Sequence, residues 1–134
     1  MRYIIINPKA ETVKIVDCES LDKATHEAGL EPLRVDHGTI AQGLSAVVYE
    51  YSLFESEHYF AIGGQLFGGN AVLYGYNQEG KTIDITFSQL NKVERWILFY
   101  HGPEQIEAAI ADNTVVRPKV KVNDELIWQW GEKP

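Results

Sequence analysis

Between His58 and Gln78 the chain runs for 21 residues without an Asp, Glu, Lys or Arg. An interval of that length is long enough to cross a bilayer as a helix. Its composition argues against one: Gly63, Gly64, Gly68, Gly69 and Gly75 lie beside Gln65, Asn70 and Asn77. Each glycine weakens a helix by about 1 kcal/mol relative to alanine. Strands and loops inside the core of a soluble protein suit the same residues better.

The rest of the chain supports that choice. At 134 residues it has the length of one domain. The 45% of apolar residues excludes a disordered chain or a fibrous repeat. Cys18 is the only cysteine, so an intrachain disulfide and a thiolate zinc cage are both excluded, and a reducing cytoplasm is the expected setting. The apolar run near the N-terminus is too short for a signal peptide. Nineteen acidic against 12 basic residues leave a net charge of −7, which argues against coating nucleic acid.

Short apolar runs punctuated by turn residues predict an α+β domain with a mostly antiparallel sheet, two short helices and a C-terminal β-hairpin. Tyr3–Ile6 stops at Asn7-Pro8 and pairs with Thr12–Val16. Ser20 caps a short helix ending near Gly29, with Lys23 and Glu27 paired on its wet side. Leu33–Val35 is a weak strand before a turn at Asp36-His37-Gly38, and Leu44–Phe54 is a strong one. Residues 63–70 read as one glycine-rich loop between strands, and Lys81–Ile85 as a further strand. One helical turn near Ser88–Lys92 precedes a strand from about Glu94 to Tyr100. Pro103 opens a helix over Gln105–Ala111, and the tail forms a hairpin turning at Asn123-Asp124.

The segments YIIINPKAETVKIV and GGNAVLYGYNQEGKTIDI resemble a family of small proteins of unknown function encoded by bacteriophages and other mobile elements, found in the neighbourhood of antirestriction genes. The shared features are structural: Asn7-Pro8, Thr12-Val13, Gly69-Asn70-Ala71, Gly80 and the helical turn at Ser88–Val93. The resemblance covers residues 1–101 and divides the chain into a family-like core and an added helix and hairpin over 102–134. The acidic Asp-Glu-Gly turn of the family is missing between Asp36 and Ser45. The resemblance implies an infected bacterial cytoplasm as the setting and names no reaction.

Chemistry is sparse. The glycine run lacks the Lys-Ser/Thr of a phosphate-binding P-loop and the spacing of a dinucleotide fold, though a nest of its backbone N–H groups would hold an anion. The plainer alternative is that these glycines only shape a hairpin. Gly63, Gly64, Gln65, Gly68, Gly69, Asn70 and Tyr74 form the candidate ligand-binding set. His26, His37, His58 and His101 show no metal-ligand spacing. Ser56-Glu57-His58 sits in an apparent turn and reads as solvated surface, and the acidic neighbours of Cys18 keep it a thiol. No catalytic residue, cofactor or metal is expected. Trp128 and Trp130 share one strand face and are candidates for an interface. The expected function is binding without catalysis, either of a host protein, in defence inhibition, or of a small anionic ligand, with self-association as a further expectation. The alternatives are an enzyme acting on a nucleotide or protein through a convergent His/acid site, and a structural or assembly component of a phage particle.

Overall fold

The computed structural model describes residues 1–31, 34–49 and 56–116, and the backbone of 119–122 and 125–128. The protein is α+β, with antiparallel strands in two stacked sheets and three short helices among the described residues. The larger sheet contains β1 (Arg2–Asn7), β2 (Thr12–Asp17), β3 (Val35–Ala41), β4 (Leu44–Tyr49), β7 (Ala71–Tyr76) and the short β8 (Thr82–Ile83). Its order is β2-β1-β7-β4-β3, with β8 beside β7. The smaller sheet has the order β6-β5-β9, from β5 (His58–Ile62), β6 (Gln65–Gly68) and β9 (Ile97–His101). A separate hairpin joins β10 (Lys119–Val122) to β11 (Glu125–Trp128).

Alternation along the strands builds the layers. Ile4 and Ile6 of β1, Ala46 and Val48 of β4, and Ala71 and Leu73 of β7 point inward against Phe60, Ile62 and Phe67 of the smaller sheet. Tyr3, Val47 and Val72 point outward and are covered by Ala24 and Ala28 of α1 (Leu21–Glu27) and its end. On the opposite outer face, Tyr59, Ala61 and Leu66 receive Ile106 and Ala109 of α3 (Pro103–Ala111). α2 (Phe87–Trp96) seals one border of the central core with Val93 and Leu90. Full burial of each of the larger apolar side chains contributes roughly 1.5–3 kcal/mol.

Local chemistry explains where this architecture departs from the sequence expectations. The predicted helical turn at Ser88–Lys92 is the full helix α2, because Thr86 and Gln89 close a reciprocal capping box at its start. The strand then begins at Ile97 rather than Glu94. Asp36-His37-Gly38 is not a turn but the middle of β3, held in register against Val48, Val47 and Ala46. The strand expected over Lys81–Ile85 is only two residues long. Residues 63–70 are not one loop, since Gln65–Gly68 pair with Tyr59–Ile62 as β6. Lys23 meets Glu19 at 2.9 Å instead of Glu27. Ser20 does cap α1, accepting a hydrogen bond from the Lys23 N–H, and Pro103 does stand in the first turn of α3. Residues 50–54 of the long strand expected after Leu44 and the Asn123-Asp124 turn lie outside the described residues.

Among the described residues no helix is long and apolar enough to cross a membrane.

Candidate functional site

Four of the five glycines of the neutral interval fall into two pairs with different work. Gly63 and Gly64 form the two-residue turn of the β5–β6 hairpin, at φ of 61° and 83°. Successive left-handed residues match the twist of a hairpin, and glycine adopts them without cost from a Cβ. The turn is then occupied structurally: the Val116 N–H donates to the Gly64 carbonyl at 2.9 Å. Gly68 and Gly69 stand at the far end of β6, about 13 Å away along the strand. The two pairs therefore do not build one anion nest.

Gly69, of the second pair, does border a cleft. Its volume is about 250 Å³. One wall is the β1–β2 turn, with Asn7, Pro8 and Lys9; the opposite wall is Ser56, Glu57 and His58, and Gly69 and Asn70 complete it. Asn7 shapes the first wall by accepting the Ala10 N–H on its side-chain oxygen at 3.2 Å, which is the turn that Asn-Pro encodes. The second wall is pinned at three consecutive carbonyls. The Tyr59 hydroxyl donates to the Ser56 carbonyl, the Gly102 N–H to that of Glu57 at 2.9 Å, and the Gly69 N–H to that of His58 at 2.8 Å. Gly69 has φ 70°, and a Cβ there would lie 3.2 Å from the Ser56 Oγ. A side chain at 69 would thus require the Ser56 hydroxyl to give way by a few tenths of an ångström.

His58 is not the solvated turn residue that its neighbours suggest. It is half-buried at the start of β5 and opposite His101 of β9 in register. The two Nδ1 atoms are 2.8 Å apart and the rings meet edge to face, centroids 5.0 Å apart. On its other side, His101 presents Nε2 to Glu11 Oε1 at 3.6 Å. Glu11 reaches across from the larger sheet, from a left-handed position with φ 54° at the end of the β1–β2 turn. Glu11, His101 and His58 thus form a file that ends at the cleft. No spacing in the sequence announces it, because it joins three segments through sheet register and sheet stacking.

The remaining candidates are elsewhere or already engaged. Asn70 lines the cleft, but its Nδ2 donates to the Ala28 carbonyl at the end of α1, 2.9 Å away. Tyr74 does not line the cleft; its hydroxyl meets His37 Nδ1 at 2.9 Å on the α1-covered side of the larger sheet. Gln65 is exposed at the start of β6. The Trp128 side chain and all of Trp130 lie outside the described residues, and among those described the large exposed aromatics are Phe87 and Trp96. Cys18 is buried, and burial pushes its thiol up, with Glu27 rather than Glu19 as the next cause. No family model, curated protein or solved structure matches the chain. Among the described residues there is also no cluster of three or more His, Cys, Asp or Glu able to hold a metal ion.

Proposed function

We propose that this protein is a non-enzymatic accessory protein of a phage or mobile element that acts by binding a small anionic ligand in the cleft between the β1–β2 turn and the start of β5. The observation that carries the reading is the polar lining of that cleft. A lysine, a hydroxyl, a histidine and two side-chain amides border about 250 Å³ of space together with one carboxylate, Glu57, enough for a small metabolite and too little for a drug-sized molecule. Lys9 is exposed on its turn and is the cation able to meet the ligand from the rim. Gly69 and Asn70, singled out by the sequence, serve this site as wall and frame.

A second reading rests on the file of Glu11, His101 and His58, which brings an acid and two imidazoles together as a catalytic relay would. Native mass spectrometry on protein purified from infected bacterial cells separates the two. A small anionic molecule retained at one per chain and released unaltered is the expected result. Release of a chemically converted product favours the enzyme, and protein that carries nothing and binds no small anion defeats the binding reading.

A further inference from the structure

The charges around the cleft make anion binding difficult unless something else changes. Lys9 offsets Glu57, and Glu11 behind His101 leaves an excess of negative charge. The other titratable groups on the packed strands, Tyr59 and Tyr100, alternate with the histidines and face α3, where burial holds both phenols neutral. Glu104, on the first turn of α3, adds a further carboxylate and no cation. A neutral histidine pair therefore leaves the site poorly suited to an anion.

The geometry of the pair says where one proton can enter. A 2.8 Å contact between two Nδ1 atoms needs a hydrogen on one and a lone pair on the other. Glu11 beside His101 Nε2 favours a hydrogen on that nitrogen, so His101 Nδ1 is the acceptor and His58 Nδ1 the donor. His58 then has Nε2 as a lone pair, on a residue that lines the cleft. Protonation there leaves the Nδ1 contact intact and adds a cationic donor. A second proton, on His101 Nδ1, would set two N–H groups against each other and break the pair.

We infer that anion binding in this cleft takes up one proton, carried on His58 Nε2 and supported through His101 by Glu11. The inference rests on the proposed binding function and adds its regulation: the site fills as pH falls and empties as it rises. Binding and protonation are reciprocal, so one coupled proton weakens apparent affinity by up to roughly tenfold per unit of rising pH.

The test uses sulfate, which stays a dianion through neutral pH. Calorimetry between pH 6 and 8, in buffers of different ionisation enthalpy, gives the affinity and the protons taken up. The expected result is proton uptake that rises toward one as pH rises, affinity falling by up to about tenfold per unit, and loss of both in His58→Gln. Long-range proton–nitrogen NMR on the unsubstituted protein gives the same answer independently of any variant, His58 Nε2 changing from lone-pair to protonated character as sulfate is added. Saturable sulfate binding with no pH slope and no proton uptake overturns the inference and leaves the binding function standing. A slope that persists in folded His58→Gln overturns it too, by placing the proton elsewhere. Absence of saturable binding at any pH defeats both.

Discussion

His58 and His101 are cross-strand neighbours on β5 and β9, 43 residues apart in the chain and 2.8 Å apart at Nδ1. Around that pair, turns and glycines that look interchangeable in the sequence take separate tasks, which substitution can distinguish.

The hairpin turn is the first. Gly64→Ala forces a Cβ into a left-handed position and should cost roughly 1–2 kcal/mol. The space around it is ordinary, with Thr114 O at 3.6 Å, so the cost comes from the backbone. Gly63→Asn should be nearly neutral, because asparagine tolerates this conformation and nothing lies within 4 Å of a Cβ there. Urea denaturation of the two variants measures the contrast.

Asn70 acts as a clamp on α1. Asn70→Ala removes the donor to the carbonyl of buried Ala28 and should destabilise the fold by about 1 kcal/mol. Amide exchange should show faster opening over Leu21–Ala28 than elsewhere. Exchange rates unchanged in α1 would contradict the clamp.

Cys18 should be inert in the folded protein. It is 7% exposed, and burial raises its thiol above the ordinary range, so little thiolate is available to attack a disulfide reagent. Ellman's reagent at pH 8 should react slowly with native protein and at once in denaturant. Rapid labelling of native protein would place the thiol on the surface.

Stability should fall in alkali through the tyrosines. Burial raises Tyr3, Tyr59 and Tyr100 above the ordinary value of 10.0. Between that value and the raised ones the folded chain binds more protons than the unfolded chain, so the slope of stability with pH is negative. Their stabilising effect is complete below pH 10 and is lost as pH rises through the folded values. Thermal melts from pH 9 upward, read beside phenolate absorbance, check the sign.

What was legible in the sequence is what local chemistry decides. Asn7-Pro8 must turn, Ser20 must cap and Pro103 must begin a helix, and the structure has all three. The alternation that makes the sheets two-faced is equally local. β6 was hidden because its bounding glycines suggest a loop, while its pairing with Tyr59–Ile62 is set by the turn between them. The cleft was half visible, in Gly69 and Asn70. Glu11, His101 and His58 were not, since register joins the histidines and sheet stacking brings the carboxylate. Neither leaves a spacing to find.

The proposed ligand site lies at Gly69 and the β1–β2 turn, not at the Gly63–Gly64 hairpin. An amide NMR titration with inorganic phosphate at pH 6 tests it residue by residue. Saturable shifts are expected at Lys9, Ser56 to His58, Gly69 and Asn70, with Gly63 to Gln65 unmoved. Saturable shifts centred on Gly63 to Gln65, or none anywhere, would contradict it.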